Sequence, residues 1–169
     1  MKRELRGLFF RLLIAFTAVI VITMSFSFYS SAVISKVRSV SIGNNLISLG
    51  MTKDSVIKVM GKPDTPPQCE FVYSNGKGDV IICFGEKNLV EAIIVRGTST
   101  KYTVAGLKIG DTQEKVKNIC GKPENTKVFD KGQVEAWYYP SKNLNFAFGI
   151  SKKIISFSVN DFNPNEASK

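Results

Sequence analysis

Apolar positions at helical spacing, followed by short runs at strand spacing, occur twice along this chain. Val56, Val59 and Met60 form the first apolar stripe, and Val116, Ile119 and Cys120 the second. Each recurs every three to four residues, as one face of a helix does. Thr52 and Thr112 stand ahead of the stripes, where a hydroxyl can accept a hydrogen bond from an orphan first-turn amide. Asp111 and Glu114 also fit a capping box beginning one residue earlier, which leaves the second start open by one position. Gly61 and Gly121 suit the left-handed stop beyond a helix, and Pro63 and Pro123 block its continuation.

Strands are expected after each helix. In the first half, 69–74 and 79–84 flank Asn75-Gly76-Lys77-Gly78, a hairpin signal, and 90–95 supplies a third strand. In the second half, 135–139, 143–148 and 154–159 occupy the same places. Leu144, Phe146 and Phe148 alternate with polar residues, and Ile155, Phe157 and Val159 are expected to join them on the helix side. That leaves Asn143, Asn145, Ser156 and Ser158 on a solvated face. The run 80–84 is apolar on both faces and wants a second cover, from the other half or from a partner.

The two halves also match residue by residue. Residues 47–63 align without a gap on 107–123, with Gly50/Gly110, Thr52/Thr112, Val56/Val116, Gly61/Gly121, Lys62/Lys122 and Pro63/Pro123 identical. Random alignment over such a window gives roughly one identity. A fixed period of this size marks a repeated supersecondary unit. The expected fold class is α+β: two tandem αβββ repeats, each a helix packed on antiparallel sheet, after an N-terminal transmembrane helix. The expected divisions are a membrane segment at 1–35, a connector at 36–45, repeat one at 46–95, a linker at 96–104, repeat two at 105–159 and a polar tail at 160–169.

The membrane segment rests on a basic stretch ending at Arg11, followed by an uncharged run at 12–35. One reading makes 12–24 a signal-peptide core with Ser30-Ser31-Ala32 as the cleavage site, releasing a secreted protein. The reading adopted is an uncleaved anchor, since the uncharged run exceeds the roughly 20 residues that a bilayer needs. Both put the repeats outside the cytoplasmic membrane by the positive-inside rule. Lys2, Arg3, Arg6 and Arg11 against Glu4 account for part of the net charge of +9; the remaining lysines are scattered along the chain.

The motif Leu-Gly-x-Thr-x-x-x-Val-x-x-x-x-Gly-Lys-Pro at 49–63, followed by an aromatic hairpin and a third strand, resembles the SmpA/OmlA (BamE-like) family. It is similar also to the CAP-associated domain of exported Gram-positive proteins. In tandem it resembles the architecture of the β-lactamase inhibitory protein. The resemblance covers nearly all of 46–159, twice over. It implies an extracytoplasmic, non-enzymatic interaction module that assists assembly at the envelope or inhibits enzymes. The chain lacks the lipid-anchor cysteine typical of the outer-membrane assembly members.

The side-chain chemistry narrows the function classes. The chain has no histidine, which removes the commonest general base and the Ser-His-Asp triad. Cys69, Cys83 and Cys120 lack metal-ligand spacing, and no catalytic, cofactor or metal site is expected. Phe71, Tyr73, Trp137 and Tyr139 hold matching strand positions. They are candidate partner-binding residues if their face points away from the helices, and core residues if it does not. Cys69 and Cys83 are candidates for a disulfide. A three-residue hairpin loop sets them opposite one another, whereas a two-residue turn sets Cys69 opposite Ile82. Cys120 is expected to be a buried free thiol. The expected function is a membrane-tethered module that assists or regulates envelope proteins, with an unidentified protein partner and no nucleic acid; the alternative is an inhibitor of a secreted hydrolase.

Overall fold

The computed structural model describes residues 34–64 and 69–160. The expected membrane segment and the polar tail therefore fall almost entirely outside the described residues. Among the described residues no helix is long and apolar enough to cross a membrane.

Among the described residues the structure is mixed α/β, with two α-helices and a large antiparallel sheet. Helix α1 (Lys53–Met60) is capped by Thr52, whose Oγ1 accepts from the Ser55 amide at 3.3 Å. Helix α2 (Gln113–Cys120) is capped by Thr112, which accepts from the Lys115 amide at 3.2 Å. Gly61 and Gly121 stop the helices at φ +84° and +83° and return their amides to the Ile57 and Lys117 carbonyls. A side chain at that φ would be strained, which is why glycine serves there. Asp111 is not the cap; its carboxylate accepts from the Lys108 amide and pairs with Lys115.

Two short strands precede α1, namely β1 (Ser39–Ile42) and β2 (Asn45–Ser48). After α1 come β3 (Glu70–Ser74), β4 (Gly78–Phe84), β5 (Val90–Gly97) and β6 (Tyr102–Thr103). After α2 come β7 (Asn125–Phe129), β8 (Val134–Tyr139), β9 (Leu144–Phe148) and β10 (Ile154–Asn160). Seven strands form one sheet in the order β3-β4-β5-β10-β9-β8-β7. The halves meet through β5 and β10, where Ile93 pairs with Val159, Ile94 with Ser158 and Val95 with Phe157.

Both halves build the same turn before that strand. Gly85 and Gly149 donate to the Leu89 and Lys153 carbonyls, and Asn88 and Lys152 sit at φ +54° and +57°. Thr52 bridges to Leu89, and Thr112 to Lys153.

Segments expected to connect the parts instead build a second sheet. Strands β2, β1 and β6 form it, drawing on 36–45 and 96–104. Val40 and Tyr102 from these segments are buried in the core, and the Val37 amide donates to the Lys142 carbonyl. Residues of the small sheet, the helix stripes and one face of the seven-stranded sheet form a single hydrophobic core. Phe71, Val80, Ile82, Ile93, Val95, Phe146, Phe148, Phe157 and Val159 are among the large sheet's contributions.

Two expected side-chain directions are corrected. A bulge between Ile154 and Ser156 turns Ile154 inward and leaves Ile155 39% exposed. Asn143 lies outside β9, at φ +58° and buried, closing the turn after β8.

The cysteine pairing is corrected too. Ser74 pairs with Asp79, so the hairpin loop is one residue longer than the longer of the two expected turns. The longer loop has a cause: Asn75 accepts the Lys77 amide through its side chain, while Gly78 already pairs with Gly97 of β5. The resulting register puts Cys83 beside Glu70 and gives the Cys69 carbonyl to the Phe84 amide. Adjacent positions in a strand point to opposite faces, so the two sulfurs diverge and both cysteines are free. Cys120 is buried and free, and burial pushes its thiol up to about 11.

Candidate binding face

The four candidate aromatics point toward the helices. Phe71 and Tyr139 are fully buried, Trp137 is buried, and Tyr73 packs against the core. Their expected role as an accessible binding stripe is therefore corrected to a core role. The physical reason lies in the helix ends. Tyr73 Oη donates to the Gly61 carbonyl at 3.1 Å, and Tyr139 Oη donates to the Gly121 carbonyl at 3.0 Å. Each phenol satisfies an orphan carbonyl at a helix C-terminus and keeps its ring in the core.

Glu135 is the most perturbed carboxylate, and it is structural. It accepts from Trp137 Nε1 at 2.8 Å, Gln113 Nε2 at 2.8 Å and Lys152 Nζ at 2.9 Å. The Trp137 bond, then those from Lys152 and Gln113, holds its carboxyl down to about 2. This ties the first turn of α2 to β8, a link that Cys69 cannot reproduce at the matching place in the first half.

A carboxylate depressed in the folded state stabilises the protein above its unfolded value of about 4.3, and the gain is lost as pH falls toward the folded value. Glu135→Gln is therefore expected to cost on the order of 2 kcal/mol at pH 7, reduced from the full linkage value by partial exposure. The difference from wild type should shrink between pH 4.5 and 2, read from urea unfolding midpoints. A pH-independent difference would contradict the assignment.

The accessible side of the seven-stranded sheet is the one facing away from the helices. Nothing among the described residues covers it. Its side chains stand in rows set by the register. One row runs Tyr138, Asn145, Ser158, Ile94, Ile81 and Val72, crossing from β8 to β3. The next row runs Lys127, Ala136, Ala147, Ser156, Arg96 and Asp79, with three small residues in direct register between the two cations. Between the larger side chains on either side lies a trough of about 270 Å³, which Val134 and Phe129 also line.

The trough is mostly apolar with a few polar groups, and no charged residue lines it, although Lys127 and Arg96 stand at the two ends of its floor. Asn145 Nδ2 donates to Ser158 Oγ at 3.1 Å and to Asn160 Oδ1 at 3.0 Å. Beside it, the Asp79 carboxyl lies below its usual range because Ser74 and Arg96 hydrogen-bond to it. Among the described residues no three His, Cys, Asp or Glu side chains converge on a possible metal position.

Strand β7 is the second feature absent from the sequence expectations. It forms one edge of the large sheet, and all five of its residues are exposed, Val128 at 62% and Phe129 at 39%. The matching positions of the first half contain Pro66 and Pro67, which cannot donate to a ladder.

No protein-family model matches the chain. No curated protein matches it either. Among solved structures it is similar to a DUF4309 family protein from Bacillus subtilis at 16% identity and a TM-score of 0.48, with 64% of this chain and 77% of that chain covered. It is similar also to an extracellular protein containing an SCP domain from Bacillus anthracis at 13% identity and a TM-score of 0.47. That alignment covers 67% of this chain and 44% of the other.

Proposed function

We propose that this chain is a membrane-tethered extracytoplasmic module, built by duplication of an αβββ unit, that binds a cell-envelope protein and assists or regulates it. The basic N-terminus and the uncharged run at 12–35 support the tether. The shared caps, turns and tyrosine–glycine bonds support the duplication.

The observation that carries the binding role is the bare β7 edge. An outer strand presents a row of backbone groups that can pair with another chain, and proteins ordinarily blunt such edges. Here it carries exposed Val128 and Phe129. An extended segment of the partner would add as an eighth strand, its backbone giving affinity and Val128 and Phe129 giving side-chain contacts.

A photo-crosslinking residue at Val128 of the full chain, activated in intact cells, is expected to give a discrete protein adduct. The same residue at Lys77, in the hairpin loop beyond β3, is expected to give none. Absence of an adduct at Val128, or equal adducts at both sites, would count against the edge as the interface. Protease added to intact protoplasts tests the topology separately and should remove the repeats while the N-terminal segment stays with the membrane.

A further inference from the structure

We propose that the trough across β8, β9 and β10 is a saccharide subsite that takes an uncharged, N-acetylated sugar ring. It lies on the sheet's face and is a second site beside the β7 edge.

Charge is the first consideration. Net charge is +9 and 22% of residues are charged, yet no charged side chain lines the trough. The cations at the two ends of the floor are already engaged, Lys127 over the Phe129 ring at 5.1 Å and Arg96 with Asp79 at 2.8 Å, so an ion seated between them would lose hydration without a free partner. The complementary ligand is neutral.

Shape comes next. Neighbouring rows on one face are two residues apart, roughly 7 Å, and the three strands of the floor span roughly 10 Å. A helix about 10 Å wide does not enter such a trough, and an extended peptide gains its backbone bonds at an edge, not across a face. A single ring with its substituents matches it. The volume of about 270 Å³ lies near the lower end of small-molecule sites, roughly 300 Å³.

The polar groups then select the substituents. Both amide protons of Asn145 are committed to Ser158 and Asn160, so its carbonyl oxygen is left as an acceptor. Ser158 accepts that bond and keeps its own proton to donate. Tyr138 and Ser156 line the same trough. An acetamido sugar offers a secondary N–H for Asn145, hydroxyls for Ser156 and Ser158, and a methyl for the Ala136–Ala147 floor. Its apolar ring face suits the Tyr138 ring, and no acid or base is required of it.

The test uses the purified full chain and chitotetraose, followed by saturation-transfer NMR. Saturation of the acetamide methyls is expected. Maltotetraose, which has no acetamide, and tetragalacturonate, which is anionic, should bind at least about tenfold more weakly. Ala147→Leu, which fills the floor, and Tyr138→Ala, which removes a wall, should each weaken chitotetraose by about tenfold or more. Val72→Ala, at the far end of the same face, should not. Far-UV circular dichroism confirms that each variant is folded, and either trough variant suffices if the other misfolds. Equal binding of the three oligosaccharides, displacement by tetra-alanine at equal concentration, or unchanged binding in both trough variants would overturn the proposal. The Val128 adduct would stand or fall separately.

Discussion

Replacing Gly97 by alanine is expected to destabilise the protein by about 3–5 kcal/mol, a large share of a typical stability of about 5–15 kcal/mol. Gly97 pairs with Gly78 across β5 and β4 at φ +106°, a backbone conformation that L side chains rarely adopt. Holding alanine there costs about 1–3 kcal/mol in backbone strain alone. Its Cβ would also lie 2.5 Å from the Lys77 carbonyl oxygen and closer still to the Gly78 Cα. Those are backbone atoms, so no side chain can swing away, and overpacking adds about 1–3 kcal/mol.

Relief requires β4 and β5 to part where Thr98 also binds the Lys77 carbonyl through its amide, at 2.6 Å. Gly78→Ala meets the Arg96 carbonyl in the same way. Gly106→Ala is the control, with φ +77° but open space around it, and should show the backbone strain alone. Urea unfolding of the three variants checks this; a Gly97→Ala loss no larger than that of Gly106→Ala would refute the steric part.

The helices were legible because their signals are local. Thr52, Val56 and Gly61 specify a start, a buried face and a stop within ten residues, and Thr112, Val116 and Gly121 do so again. The core strands were legible where one face is buried, as at Leu144, Phe146 and Phe148. Strand β7 was not, because all its residues are exposed and Asn-Thr-Lys-Val-Phe carries no alternation of burial. The pairing of β1 with β6 was invisible for another reason: Ser41 meets Thr103 from about 60 residues away in sequence, and nothing local encodes that contact.

The direction of the aromatic stripe illustrates the same limit. Alternation shows that Trp137 and Tyr139 share a face, but only the tertiary fold decides whether that face meets the helices. The hydroxyls of Tyr73 and Tyr139 had a destination at the helix C-termini, twelve and eighteen residues earlier. The orphan carbonyls there were a signal that could have found it. With the aromatics in the core, the proposed saccharide subsite draws on residues read as solvated. Asn145, Ser156 and Ser158 look unremarkable singly and form a lined trough only through the β8-β9-β10 register.

Tyr139 should be the stronger of the two tyrosine anchors. It is fully buried, its ring lies edge-on to Phe146 at 6.1 Å, and its hydroxyl donates to the Gly121 carbonyl at 3.0 Å. Tyr139→Ala is expected to cost about 3–5 kcal/mol, the usual range for removing a large aromatic from a core. Tyr139→Phe keeps the ring and removes only the donor, so about 1–2 kcal/mol should be lost as the Gly121 carbonyl gives up its partner. Tyr73→Phe, at a more exposed position where water can replace the phenol, should cost less than about 1 kcal/mol.

Burial raises the Tyr139 phenol well above its ordinary value. A group raised in the folded state contributes fully below its unfolded value of about 10. Above that pH the unfolded chain ionises while the native phenol does not, so stability falls as pH rises. Unfolding free energies measured from pH 8 to 11 should therefore drop more steeply for wild type than for Tyr139→Phe. Equal slopes, or a larger cost for Tyr73→Phe than for Tyr139→Phe, would show that the second half is not the one anchored by its phenol.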